Sequence, residues 1–335
     1  MKSYTLKDIE EINSKYSFND IYFTPEYGLV CQHTDQGIWE LLVWNEKIAL
    51  VYIKKEIINN NTKYYHIYTP YGYTGLYKLQ DISDEELNQF NQDYKEWCQQ
   101  NNIITECLRE SPYNSNVISK NNVTKKELKS ISVSVDLTGE YENYMKKVSK
   151  TNIRAIKSAI KHNFKVFHTD VTMDNLKKYY FDLYYSTMDR NNASSYYYFP
   201  EEYYQTLIDK LGNHLMLFVV NNSNDQTIAC SLYFCYGKYM HYHLGGANID
   251  NNPGVNNLLH NYAIQYGIKN GYELLHLGCG ITCDDNLLKF KKQIGTEYKE
   301  YYIVKNIIDK EQYVKLCQEN KKSLDDISKF PVYLF

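Results

Sequence analysis

Short runs of alternating apolar and polar residues dominate the first hundred positions. Ile38-Trp-Glu-Leu-Leu-Val-Trp44 and Lys47-Ile-Ala-Leu-Val-Tyr-Ile-Lys54 read as two strands around an Asn45-Glu46 turn, and Lys63-Tyr-Tyr-His-Ile-Tyr68 reads as a third. Thr69-Pro-Tyr-Gly-Tyr-Thr-Gly75, with a proline and two glycines among aromatics, must be a tight loop. From Ser83 the period becomes helical. Leu87, Phe90, Tyr94, Trp97 and Cys98 keep one face, and Ser83 with Glu86 makes a capping box. A strand follows at 103–108. Residues 111–129 are polar and predict a linker or exposed loop, with a boundary near 130 that divides the chain into domains 1–130 and 131–335.

The second region starts with the alternating Ile131-Ser-Val-Ser-Val-Asp-Leu137 strand. Helices are predicted over 140–162, 173–189, 200–211, 253–269, 284–293 and 310–320. Strands are predicted over 164–169, 214–221, 226–236, 239–245, 272–277 and 297–305. Asn252-Pro253 offers a helix start, with Asn as N-cap and Pro at the first helical position. Hairpin-like turns at Asn221–Asp225 and Tyr236-Gly-Lys238 join the central strands. The sheet is therefore partly antiparallel and the fold class is α+β. The first region has a similar strand–helix–strand order, so the two halves read as copies of one fold.

Composition narrows the picture. A chain of 335 residues favours two domains, and 43% hydrophobic residues supply an ordinary core. The net charge of −3 excludes a wholly basic nucleic-acid binder. No run of apolar residues is long enough to span a membrane, and the first residues carry no apolar signal region. Eight cysteines without framework spacing predict free thiols and a cytoplasmic protein. The 36 tyrosines exceed 12 Phe and 3 Trp, and Asn, Lys and Ile are also frequent; an AT-rich coding sequence explains the bulk of them.

Charge is unevenly placed. Between Tyr144 and His168 there are seven cations and no acidic residue. Lys146, Lys150, Arg154, Lys157, Lys161 and Lys165 fall near one helical stripe, where like charges repel. Either phosphates of a tRNA or a nucleotide-linked substrate offset that repulsion, or acidic residues elsewhere face a solvated stripe. Nine tyrosines lie between Tyr179 and Tyr204, with Arg190 among them. Tyr179, Tyr180, Tyr184 and Tyr185 fit helix packing. Tyr196-Tyr-Tyr-Phe199 has no helical stripe, and it reads either as packing or as the wall of a sugar or peptide pocket.

His241 and His243 share a strand face. His276, Cys279 and Cys283 could join them in a metal site, but the spacing matches no zinc knuckle, and pocket lining is the better reading. Asp284–Gly295 reads as an ordinary helix in which Lys289, Lys291 or Lys292 could reach a carbonyl. No metal or resident cofactor is expected.

Several of these segments, in this order, resemble the Fem-type peptidoglycan aminoacyltransferases, relatives of the GNAT acyltransferases. Thr69–Gly75 is similar to their P-Y-G-Y-G-G loop, Lys150–Lys161 to their basic helix, and Tyr185-Ser-Thr-Met-Asp-Arg190 to a Y-x-T-M-x-R run. Phe199-Pro-Glu-Glu-Tyr-Tyr204 resembles a helix start, Tyr242-His-Leu-Gly-Gly246 a strand end, and Leu277-Gly-x-Gly280 with Phe290-Lys-x-x-Ile-Gly295 the family's closing motifs. The resemblance implies two tandem GNAT-like domains with mixed, largely antiparallel sheets flanked by helices. It implies transfer of an aminoacyl group from aminoacyl-tRNA to an amine of a UDP- or lipid-linked cell-wall precursor, a lipid-linked acceptor drawing the protein towards a membrane surface.

In that reading Lys291, beside Phe290, stabilises the oxyanion. Tyr203, Tyr242, His243, Arg190, Tyr71 and Tyr73 contact substrate, and Lys150, Arg154, Lys157 and Lys161 contact phosphates of the tRNA. His243 stands where the family often has Tyr. Asn251–Asn257 lacks the Q-x-x-G-x-G/A loop that cradles CoA, which favours a tRNA donor. An acyl-CoA-dependent N-acyltransferase of a surface-polysaccharide amino sugar is the alternative, and an RNA-binding module without catalysis is the non-enzymatic one.

Overall fold

The computed structural model describes residues 1–59, 61–114, 116–118, 123–250, 252–324 and 329–335. In chain order the elements of the first half are β1 (Lys2–Thr5), α1 (Ile9–Lys15), α2 (Pro25–Cys31), β2 (Ile38–Trp44), β3 (Ile48–Asn59), β4 (Thr62–Tyr68), β5 (Leu76–Lys78), α3 (Asp84–Gln100), β6 (Ile103–Arg109) and β7 (Val117–Ile118). Then come β8 (Lys125–Asp136), α4 (Tyr141–Lys147), α5 (Lys150–Lys161), β9 (Lys165–Thr169), α6 (Met173–Tyr179), α7 (Phe181–Arg190) and α8 (Glu201–Leu211). The chain closes with β10 (Leu215–Asn221), β11 (Thr227–Tyr236), β12 (Tyr239–Ala247), α9 (Val255–Lys269), β13 (Leu274–Cys279), α10 (Asn286–Ile294), β14 (Glu297–Ile307) and α11 (Lys310–Glu319).

Two units result. The first holds Met1–Phe18, Tyr22–Lys129 and Tyr301–Phe335; the second holds Asn19–Ile21 and Ser130–Glu300. The expected second domain of 131–335 is therefore too long. Residues 303–307 of β14 pair with β6, and Tyr313, Leu316 and Cys317 of α11 pack around Ile104, so the last 35 residues return to the first unit. The expected linker 111–129 is partly ordered strand, because β7 and the start of β8 lie in it; residues 115 and 119–122 fall outside the described residues.

The sheets of the two units have the same plan. In the first the order is β1-β2-β3-β4-β6-β14, and β4–β6 is its parallel pair. In the second it is β9-β10-β11-β12-β13-β8, and β12–β13 is the parallel pair. Antiparallel neighbours flank each pair. A parallel pair needs a crossover, and helices α3 and α9 lie in the two connections. This is the expected α+β architecture of two GNAT-like units.

Local chemistry explains the helices. Ser83 and Glu86 form the predicted capping box, with Glu86 N–H to Ser83 Oγ at 3.2 Å and Ser83 N–H to Glu86 Oε2 at 3.0 Å. The helix predicted over 140–162 is two helices, because Val148 and Ser149 are extended and Ser149 caps α5. The 173–189 helix likewise divides at Tyr180, whose φ of −119° lies off the helical value. Helix α9 starts at Val255 behind Gly254 at φ 75°, rather than at Pro253. A Cβ on Gly254 would lie 2.3 Å from Ala155 O, so glycine lets α5 and α9 touch.

The core of the second unit gathers Val133, Val135, Phe218, Tyr233, Met240, Leu259, Ile264, Leu275, Leu288 and Ile294 between sheet and helices. On the opposite sheet face α7 lies against Gly246, where an added Cβ would sit 2.4 Å from Leu183 O. Backbone cannot yield as a side chain would. Gly246→Ala should therefore cost about 2 kcal/mol or more in urea unfolding, the upper part of the range for overpacking. Gly212→Ala, with nothing within 4 Å of the new Cβ, should leave the midpoint unchanged or raise it.

Candidate active site

Helix α10 has nine residues, too few to hold itself in water. Asp285 caps its start, accepting Leu288 N–H at 2.7 Å and Thr282 N–H at 2.7 Å. Burial opposes the charge on this carboxylate, but the backbone N–H groups aimed at it hold it below its ordinary value. A Cβ on Gly280 would press on the same carboxylate at 2.7 Å. The fixed helix presents Leu288, Lys291 and Ile294 inward and half-buries Phe290.

Lys291 is 8% exposed, and its Nζ donates to Cys279 O at 2.8 Å at the end of β13. The ammonium stands 5.9 Å from the centre of the Tyr242 ring. Burial pulls its pKa down to about 8, while Cys279 and Asp285 act the other way. One N–H is engaged by Cys279, which leaves two for a ligand. Around it stand Tyr242, Phe290 and His260, with His260 ring centroids 4.9 Å from Tyr242 and 5.9 Å from Phe290. His260 Nδ1 meets Tyr233 OH at 2.6 Å. Burial, helped by the Lys291 charge, takes the His260 pKa down to about 3, so the imidazole is neutral. The Tyr242 hydroxyl is pushed up to about 12 by burial and stays protonated. A cation held in place, two free N–H bonds and an aromatic wall can stabilise a developing oxyanion.

The structure does not bring all the expected site residues together. Side chains alternate across β12. Tyr242 joins Lys291 and Phe290 on the α9–α10 side. His243 points to the other side, where its Nε2 lies 2.6 Å from Tyr203 OH, and burial first, then His241, lowers its pKa to about 3. Tyr203 stacks on Phe199 at 4.4 Å. Arg190 Nη1 donates to Ala247 O at 2.9 Å, and Thr187 Oγ1 accepts Ala247 N–H at 3.0 Å, so the Thr and Arg of the Tyr185–Arg190 run tie α7 to the end of β12.

Tyr71 and Tyr73 lie in the first unit, half-buried. Tyr27 OH donates to Tyr71 O at 2.9 Å, and the Tyr73 ring meets Tyr301 at 5.0 Å. Gly72 between them has φ 116°. In the tyrosine-rich stretch Tyr180, Tyr184, Tyr203 and Tyr204 are core, while Tyr196 and Tyr198 are exposed.

The basic stripe is shorter than expected. Lys146 belongs to α4, across the break at Val148, and Lys165 is in β9, paired with Asp225 at 2.7 Å. Lys147 pairs with Asp136 at 3.2 Å. Lys150, Arg154, Lys157 and Lys161 remain on one exposed face of α5, with no ion pair among the described residues. The stripe spans about 16 Å at the helical rise.

His241 and His276 meet Nδ1 to Nδ1 at 3.2 Å, in a buried row with Asp20 at 3.1 Å and Ser132 at 2.7 Å. Among the described residues no group of three or more His, Cys, Asp and Glu is arranged to hold a metal. All eight cysteines are free. No helix among the described residues is long and apolar enough to cross a membrane. His260 and Tyr233 were not singled out from the sequence. Their only signal was a polar residue inside an apolar helix and a tyrosine inside an apolar strand.

Residues 145–300 match the acetyltransferase (GNAT) domain family model. The crystal structure of FemX superposes with a TM-score of 0.64 at 12% identity, covering 94% of this chain and 99% of that one. L-PGS from Bacillus licheniformis does so with a TM-score of 0.57 at 8% identity, covering 90% and 91%. No curated protein sequence matches. The protein is an acyltransferase of the GNAT type. Its fold is that of the Fem enzymes.

Four histidines are buried and held neutral. Burial lowers His66, His243 and His260 to about 3 and takes His276 well below its usual value. In the unfolded chain they titrate near 6.5, so the unfolded state binds protons that the native state refuses. Their contribution to stability is complete above pH 6.5 and is lost as pH falls from there towards 3, at about 1.4 kcal/mol per pH unit for each group. Urea midpoints measured from pH 7 to 4.5 should fall steadily, with more than one proton taken up on unfolding. A flat profile would contradict the buried, neutral state.

Proposed function

We propose that the protein moves an aminoacyl group from aminoacyl-tRNA to an amine of a cell-wall peptidoglycan precursor. The observation that carries this reading is the pairing of a buried ammonium at Lys291 with a separate, unneutralised stripe of four cations on α5. An ester carbonyl beside Lys291 accounts for the first. A phosphate backbone along Lys150, Arg154, Lys157 and Lys161 accounts for the second. Close packing of Ala155 on Gly254, in the loop that lacks the CoA-cradling pattern, supports tRNA over CoA as donor; Asn251 of that loop lies outside the described residues. No resident cofactor takes part, and both substrates place the reaction in the cytoplasm.

The acceptor amine attacks the ester carbonyl directly. A C–N bond forms, the carbonyl oxygen takes up charge beside the Lys291 Nζ, and collapse expels the ribose hydroxyl. Water or a carboxylate removes the amine proton. Positioning and oxyanion stabilisation supply most of the acceleration.

With charged tRNA and a lysine-type amine, Lys291→Ala should lose at least about 10²–10³ in transfer rate at unchanged fold. Wild-type turnover in that variant would refute the assignment. Because the Lys291 pKa is about 8, the ammonium is lost as pH rises through that value, and single-turnover transfer should decline above it. Lys291→Arg stays charged and should abolish the alkaline decline. Four phosphate contacts predict a salt slope near −3 for tRNA binding, reduced by about 0.7–0.9 for each cation removed. Release of free CoA from an acyl-CoA, with no transfer from charged tRNA, would replace this reading by the N-acyltransferase one.

A further inference from the structure

A helix ends on four carbonyls that cannot bond within it. In α10 each of the four has a named donor. Gly295 N–H serves Lys291 O at 2.9 Å, and Tyr298 OH serves Lys292 O at 3.0 Å. Ser149 Oγ serves Gln293 O at 2.8 Å, and Tyr144 OH serves Ile294 O at 3.3 Å. The last two donors come from the segment that bears the cations. Ser149 is the N-cap of α5 and also accepts Asn152 N–H at 3.1 Å. Asn152 is fully buried; its Nδ2 donates to Tyr144 OH at 3.2 Å, and its Oδ1 accepts from Asn257 of α9 at 2.7 Å. The helix end is also pressed on the sheet, since a Cβ on Gly295 would lie 2.1 Å from Val133 Cγ1.

We propose that Tyr144, Ser149 and Asn152 are positioning residues that lock the cation-bearing helix α5 to the end of α10, so that a phosphate chain bound along α5 keeps a fixed register to the Lys291 ammonium. This rests on the tRNA-donor reading. The cations project outward from α5, while Ser149 and Asn152 reach inward to the carbonyl end of α10. Binding and register are thus carried by different atoms of one segment. Without the two hydroxyls, the carbonyls of Gln293 and Ile294 must recruit water, the last turn loosens, and the Lys291 ammonium becomes better hydrated.

The test uses the full chain and three readouts. These are binding of uncharged tRNA across salt, single-turnover transfer from aminoacyl-tRNA to a lysine-type amine, and the pH dependence of Lys291 labelling by an amine-reactive reagent, followed by mass spectrometry. Tyr144→Phe/Ser149→Ala should bind tRNA within about twofold of wild type and with the same salt slope, because no cation is touched. Its transfer should slow about tenfold, the scale of a lost hydrogen bond expressed in the transition state. Its labelling midpoint should move up from about 8 towards 10.5. Ser149→Thr, which keeps the hydroxyl, should stay within about twofold of wild type in all three.

A lower melting temperature with unchanged transfer and labelling midpoint overturns the proposal, since the bonds would then only support a helix end. Wild-type protein that fails to bind tRNA overturns the donor reading, and the register between helices falls with it. The labelling readout needs no RNA and separates the two failures. Should the double variant not fold, Tyr144→Phe alone keeps its ring in the core and carries the same three readouts.

Discussion

An ammonium group in a protein interior is stable only where something replaces water around it. Lys291 has lost enough of that water to bring its pKa to about 8 from 10.5, a bias of about 3 kcal/mol towards the neutral amine. It nevertheless remains charged at neutral pH, because the Cys279 carbonyl is placed at its Nζ and the Tyr242 face lies nearby. Much of the second unit serves to keep that arrangement. Asp285 starts the helix, four donors close it, Gly295 lets it rest on β13's neighbour, and β13 delivers the carbonyl. A buried cation with spare donors is poorly satisfied in the resting state. A nascent oxyanion would satisfy it, which is the differential stabilisation that catalysis requires.

The glycines and the strand-end motifs were legible in the sequence as patterns, and the structure shows what they do. Gly246 admits the backbone of α7. Gly245 leaves room for the Tyr242 hydroxyl, 2.8 Å from where its Cβ would stand. Thr187 and Arg190 bond the end of the same strand. Motifs of this kind mark contacts between backbone segments, so they identify the fold strongly and the ligand weakly. Arg190 shows the difference: its guanidinium serves a strand carbonyl, although the run containing it resembles a substrate-binding motif.

What the sequence did not convey depends on facing. Tyr242 and His243 are adjacent in the chain and lie on opposite sides of the sheet, so a set of neighbours in sequence became two clusters. The basic run suffered a similar division. Its spacing suits one long helix, but Ser149 is a better cap than interior residue, and its hydroxyl is needed by the neighbouring helix. Lys147 and Lys165 then meet acids, and four cations are left on one face. The tyrosine excess divides the same way, into rings that fill a core and rings at the surface. Pairings of this sort depend on tertiary neighbours that no local window contains.

The shared plan of the two units sharpens where chemistry resides. Both have a run of four antiparallel strands, a parallel pair with a helix in its connection, and a sixth strand supplied from beyond the unit's own hairpins. They differ beyond the second strand of the parallel pair. After β13 the chain forms α10 and buries Lys291. After β6 the described residues form no helix before β8, passing through the Glu110–Asn114 loop to the two-residue strand β7. The sheet plan is thus common to both units, but the second adds the element that holds a charged group at a strand end. Duplication of the fold supplied two scaffolds. The nine residues between Asp285 and Gly295 make one of them a site.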